Sequence, residues 1–164
     1  MTEKELEILR IIEEDARIDY NTLAKMTNIS EEEIQTILKK LEKMKVILNY
    51  SAVVDWSKVP QAEQVTAMID VKVTPKRGVG FDEVAERIYR FSEVQALYLM
   101  SGAYDLQVVI EGKTMQEIAR FVSEKLSSID SVISTTTHFQ LKKYKHDGII
   151  FEEGEEDRRI VVTP

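Results

Sequence analysis

Apolar residues in the first sixty positions recur at helical spacing in three blocks. In the first, Leu6, Leu9 and Ile12 line one side with Ile8 and Ile11 beside them, which predicts an amphipathic helix. Thr2-Glu3-Lys4-Glu5 in front of it is a capping-box pattern. The helix should end near Ala16-Arg17-Ile18. A second, shorter block carries Leu23, Ala24 and Met26, with Asp19 placed to cap it. Asn28 suits the turn that follows, because asparagine tolerates positive φ. Ser30 and Glu33 form a second capping box before the third block, Ile34, Ile37, Leu38, Leu41 and Met44. This stripe leaves Glu32, Thr36, Lys39, Lys40 and Lys43 on the opposite side. The period then changes to two. Residues 46–50 and 51–55 predict the two strands of a wing hairpin, or one bent strand. Trp56 to Gln64, with Pro60 inside it, reads as a linker.

The second half alternates from its start. Val65, Ala67, Ile69, Val71 and Val73 are interleaved with Thr66, Met68, Asp70 and Lys72, a strand with one buried face. Pro75 to Gly80 reads as a turn, and Phe81 to Phe91 as a helix with Val84, Ala85 and Ile88 inward. Two strands, 94–101 and 104–111, flank Gly102-Ala103. Thr114 caps a helix carrying Ile118, Ala119, Phe121, Val122 and Leu126, and a last strand covers 131–144. The order βαββαβ predicts a ferredoxin-like sheet with both helices on one face. The expected fold is α+β: a winged helix-turn-helix over 1–60, a ferredoxin-like domain over 61–144, and an acidic tail or hairpin over 145–164. In that tail Ile149-Ile150-Phe151 and Ile160-Val161-Val162 flank Glu152 to Asp157. That pattern fits either a hairpin with an acidic turn or a frayed end.

With helices on one side only, the other side of the sheet is expected to show Met68, Leu97, Leu99 and Val109. An apolar face of that kind is usually covered by a partner, so a homodimer through the sheets is expected.

Composition narrows the function classes. The 164 residues contain no cysteine, which removes disulfides, thiolate zinc sites and cysteine nucleophiles. The polar N-terminus is unlike a signal peptide, and no apolar run reaches the length of a membrane span. A cytoplasmic protein without a membrane partner is expected. Net charge is -7, which opposes phosphate binding in general. Residues 1–60 carry nine Lys/Arg against twelve Asp/Glu, so any DNA contact must come from a local face.

The third helix offers one. The N-terminal part of the second helix in a helix-turn-helix meets base edges in the major groove. Gln35, Thr36, Lys39, Lys40 and Lys43 are therefore candidate contacts with double-stranded DNA. Gln can bond adenine bidentately and Lys can reach guanine acceptors. The same face also reads as an ordinary solvated surface. Gly102 is first of all a turn residue. Its open backbone amides and the carboxylate of Asp105 would also suit the two charged ends of an amino acid. Gly78-Val79-Gly80 lacks the third glycine and Lys-Ser/Thr of a phosphate loop and reads as a turn. His138 and His146 are not spaced as metal ligands, and neither metal nor cofactor is expected.

Several segments together resemble the Lrp/AsnC (feast/famine) regulators. In the first half these are Glu14-Asp15-Ala16-Arg17-Ile18, Leu23-Ala24, Ser30, Leu41-Glu42, Val46-Ile47 and Tyr50-Ser51-Ala52-Val53-Val54. In the second they are Ser101-Gly102-Ala103-Tyr104-Asp105-Leu106 and Val132 with Thr135 and Thr137. The resemblance covers about residues 3–143. It implies a DNA-binding winged helix, a domain sensing an amino acid or similar metabolite, and dimers that can assemble further, up to an octamer. It makes Ser101, Gly102, Asp105, Thr135 and Thr137 the candidate effector residues. Two departures stand out: Ile37 where the family tends to have Arg, and Lys45 where it tends to have Gly. Two other functions share this plan. One is a metabolite sensor that does not bind DNA. The other is an enzyme similar to the siroheme decarboxylases, which would need a well-placed histidine such as His138.

Overall fold

The computed structural model describes residues 1–61, 64–74 and 80–151. The chain forms two compact units, Met1–Val53 and Val54–Pro164.

The first unit holds α1 (Glu3–Glu14), α2 (Tyr20–Thr27) and α3 (Glu31–Lys43). Each helix starts where its sequence says. Thr2 and Glu5 make the reciprocal capping box of α1. The Asp19 carboxylate accepts the Thr22 N–H at 2.9 Å, and the Ser30 hydroxyl accepts that of Glu33 at 3.2 Å. Such caps satisfy amides that the first turn leaves unpaired. Asn28 leaves α2 at φ 52, the left-handed conformation that asparagine tolerates. The core is Ile8, Leu23, Ile29, Ile34 and Leu38. Leu6, Met26 and Met44 lie outside it, exposed.

The exit from α3 is a Schellman turn. Val46 N–H donates to Leu41 C=O at 3.0 Å and Lys45 N–H to Glu42 C=O at 3.0 Å. Lys45 takes φ 57, the place where glycine is favoured. The expected wing strands do not form. Residues 48–55 carry no ladder among the described residues. A two-stranded ribbon is marginal by itself, and here nothing in the unit pairs with it.

The second unit opens with a 3-10 turn, Trp56–Lys58, and continues as β1 (Val65–Val73), α4 (Phe81–Tyr89), β2 (Val94–Leu99), β3 (Leu106–Gly112), α5 (Met115–Arg120) and β4 (Val132–Phe139). A wider helical turn, Phe121–Leu126, continues α5. The βαββαβ order is as expected, and the sheet runs β2-β3-β1-β4 with every neighbour antiparallel. Residues paired across strands share a face. Ile69 pairs with Val108 and Thr137, and Val71 with Leu106 and Thr135. This face meets Val84, Ile88, Ile118, Phe121 and Leu126 in one buried cluster.

Register corrects the expected open face. Leu97 pairs with Val108 and Leu99 with Leu106, so both point to the helices, not away from them. The open face carries Met68, Val109, Ala96 and Tyr98 instead. The cause is an irregularity between Val94 and Ala96, which shifts the alternation of β2. The last strand is also shorter than expected. After Gln140, whose N–H donates to Thr66 C=O, the chain leaves the sheet and forms a small hairpin. This pairs β5 (Lys145–His146) with β6 (Ile149–Ile150) through a turn at Asp147 and Gly148, both at positive φ. Ile149-Ile150 thus pairs with Lys145-His146. The expected turn at 75–79 and the acidic turn and strand of 152–164 lie outside the described residues.

Candidate functional site

Helix α3 buries Ile34, Leu38 and Leu41. Gln35, Thr36, Lys39 and Lys43 are all exposed and fall within about one quadrant of the helix, given 3.6 residues per turn. The Thr36 hydroxyl donates to Glu32 C=O at 2.9 Å. Glu31 is drawn aside by Asn21, whose side-chain amide donates to it at 3.1 Å. The Tyr50 hydroxyl donates to Glu42 at 2.9 Å. Burial, and next this hydrogen bond, push the Tyr50 phenol up to about 12.

Lys40 stands apart from the other candidates. Its ammonium donates to Glu5 Oε1 at 2.7 Å, while Glu5 Oε2 accepts the Thr2 N–H at 2.7 Å. Glu5 is buried. One carboxylate therefore caps α1 and ties α3 to it. The hydrogen bond from Lys40, and next that from Thr2, hold the Glu5 carboxyl below the usual range.

The candidate effector residues converge in part. The loop between β2 and β3 closes with Met100 N–H donating to Asp105 C=O at 2.9 Å, and Asp105 N–H donates to Val71 C=O at 3.1 Å. Gly102 has φ 142 with nothing near a would-be Cβ, so backbone conformation and not crowding asks for glycine there. Thr135 pairs with Val71 at this end of the sheet, and Thr137 lies one inward-facing pair further along. Ser101 is exposed in the loop.

Asp105 has structural duties that sequence reasoning missed. Its Oδ2 accepts the Val73 N–H at 2.8 Å, at the bulge where β1 slips register against β4. Its Oδ1 faces the Lys72 ammonium at 3.6 Å, and that ammonium donates to Ala103 C=O at 3.3 Å. The carboxylate pins the loop to β1. Both of its oxygens are therefore engaged without a ligand.

On the open face, Asp70 Oδ2 lies 3.0 Å from His138 Nε2, and Asp70 Oδ1 accepts from Gln107 at 3.3 Å. His138 is thus held by a neighbouring strand beside Met68. Among the described residues no three His, Asp or Glu side chains gather as a metal site, and no helix is long and apolar enough to cross a membrane.

Two family models match this chain. Residues 1–47 match a winged helix-turn-helix DNA-binding domain, and residues 66–150 match the Lrp/AsnC ligand binding domain. The chain belongs to the Lrp/AsnC family. It is a DNA-binding transcriptional regulator with a small-molecule effector domain. This regulator is 67% identical over 164 residues to YugG, an HTH-type transcriptional regulator of Bacillus subtilis, covering 100% of this chain and 99% of that one. It is 28% identical over 145 residues to the proline dehydrogenase transcriptional activator of Rhizobium radiobacter, covering 88% and 92%. Among solved structures, a transcriptional regulator of Neisseria meningitidis in complex with L-Met shares the fold at TM-score 0.70 and 22% identity, covering 89% of this chain and 93% of that one. AsnC of E. coli shares it at TM-score 0.68 and 19% identity, covering 89% and 95%.

Proposed function

We propose that this regulator reads duplex DNA through Gln35, Thr36, Lys39 and Lys43, and that an amino acid modulates it. The observation that carries the reading is the division of α3 into a buried stripe and an outward polar face. Lys40 is left out of the base-reading set because Glu5 holds it. Lys39 and Lys43 supply phosphate or guanine contacts, and Gln35 supplies adenine contacts.

The effector reading centres on the loop at Gly102. Its amides near Ser101 suit a carboxylate, with the hydroxyl of Thr135 at the same end of the sheet and that of Thr137 nearer its middle. Asp105 acts there by shaping the loop, since Lys72 and the Val73 amide already use its oxygens. The L-Met in the Neisseria neighbour and the proline dehydrogenase activator among the relatives favour an amino acid as effector class.

The oligomer proposed is a homodimer through the open sheet face, which presents Met68, Ala96, Tyr98 and Val109. Ala96, Val109 and Met68 line up across the sheet and end at His138, and Tyr98 lies in the next row, which also holds Asp70. Assembly up to an octamer would need further surfaces. The experiment that tests the whole reading is a genome-wide DNA pull-down with and without amino-acid mixtures. Specific sites whose occupancy responds to an amino acid are expected. Recovery of no specific DNA would favour a sensor that uses the winged helix as a scaffold.

A further inference from the structure

A cleft lies at the other end of the sheet from the Gly102 loop. It encloses about 540 Å³ between the Trp56 turn, the start of β1, the end of β3 and the chain after β4. Clefts of roughly 300–1,000 Å³ hold small ligands.

Its walls are built, not incidental. Asp55 Oδ1 accepts the Ser57 N–H at 3.2 Å and the Ser57 hydroxyl at 2.6 Å, and Asp55 pairs with Lys58 at 3.4 Å. This fixes the turn that presents the half-exposed Trp56 indole. Across the cleft, Phe151 N–H donates to Tyr144 C=O at 3.0 Å, which brings the chain back on itself and places a second aromatic face in the lining.

Two charges complete it. Lys143 is half-buried, with its ammonium 5.3 Å from the centre of the Phe151 ring. Glu111 is half-buried on β3. Neither forms an ion pair or side-chain hydrogen bond with any described residue, and they do not pair with each other. Asp55, by contrast, is committed to its own turn. Half-buried charges gain from a partner of opposite sign.

We infer that this cleft binds an α-amino acid with a large apolar or aromatic side chain, as a site separate from the Gly102 loop. The Lys143 ammonium takes the ligand carboxylate, the Glu111 carboxylate takes its ammonium, and Trp56 and Phe151 enclose the side chain. A simple anion would meet repulsion from Glu111, and a simple cation repulsion from Lys143. The zwitterion satisfies both.

Trp56 is the only tryptophan of the chain, so its emission reports on this cleft alone. The test excites Trp56 in the full chain at 295 nm while L-phenylalanine or L-leucine is added. Phenylacetate and phenethylamine, each lacking one charge, serve as controls. A saturable change with at least one zwitterion is expected, with the controls at least tenfold weaker. Glu111→Gln and Lys143→Gln should each weaken binding about tenfold to a hundredfold, the range for one charged hydrogen bond, with unchanged circular dichroism. Asp105→Asn, at the other end of the sheet, should leave the titration unaltered. No saturable change with either amino acid, or equal binding by both Gln variants, would overturn the inference. The readout needs no DNA, so it stands or falls apart from the DNA-reading proposal.

Discussion

Lys40 on α3 reaches 2.7 Å to Glu5 on α1, and this one contact separates it from the lysines beside it. By spacing alone Lys39, Lys40 and Lys43 look equivalent. The fold spends Lys40 on a buried carboxylate and leaves the other two outward. Changing Lys40 to Ala should therefore lower the melting temperature by several degrees, because Glu5 would stay buried with only the Thr2 amide. Lys39→Ala should leave the melting temperature within about a degree, as expected of an exposed position. Thermal unfolding followed by circular dichroism distinguishes them.

The same contact gives an acid-sensitive component of stability. Glu5 has a lowered folded-state pKa, chiefly through Lys40. Glu93 has one too, chiefly through its hydrogen bond with Lys125. A depressed carboxylate stabilises the fold at pH values above its unfolded pKa, about 4.3 for Glu. That contribution fades as pH falls through the lower folded value. Stability should be level with respect to these groups near neutrality and fall below about pH 4.5. Glu5→Gln should be less stable at pH 7, and its loss on acidification should be shallower. Urea midpoints between pH 3 and pH 7 test this; parallel curves for the two proteins would contradict it.

Lys45 occupies a left-handed backbone position at φ 57. A residue with a Cβ costs about 1–2 kcal/mol there. Glycine has a more flexible unfolded state, which offsets part of the gain. Lys45→Gly should stabilise the first unit by roughly 0.5–1 kcal/mol. Denaturant midpoints of the two proteins measure the difference, and a loss of stability would contradict the Schellman geometry.

Asp105 pins the loop through the Val73 amide and Lys72. Asp105→Ala should leave that amide without an acceptor, at a cost of about 1–3 kcal/mol, and should speed hydrogen exchange at Val73. Asp105→Asn keeps an acceptor oxygen and should cost less. Equal exchange at Val73 in all three proteins would show that Asp105 does not hold the bulge.

Much of this molecule is legible in its sequence, and the limits have physical causes. Helix caps are local, so Thr2, Asp19 and Ser30 mark the helix starts where they occur, although only Thr2 completes a reciprocal box. The βαββαβ order follows from the change between periods of two and 3.6. The placement of Leu97 and Leu99 was lost because one irregularity in β2 flips every later side chain, and no residue type announces it. The wing strands failed because alternation reports an extended backbone, not the presence of a partner strand. The structural partners of Lys40 and Asp105 escaped the sequence for a shared reason. These partners, Glu5 and Val73, lie 35 and 32 positions away. The Trp56 cleft was hidden likewise, since it assembles residues from 54 to 151.

The central claim is that the outward face of α3 reads DNA through Lys39 and Lys43. The measurement is affinity for an operator recovered by pull-down, taken across a salt series, for the wild type and the Lys39→Ala, Lys43→Ala double variant. Each lost phosphate contact should reduce the slope of log affinity against log salt by roughly one unit. The account predicts a shallower slope and weaker binding in the double variant, with an unchanged melting temperature. An unchanged slope and affinity would contradict it.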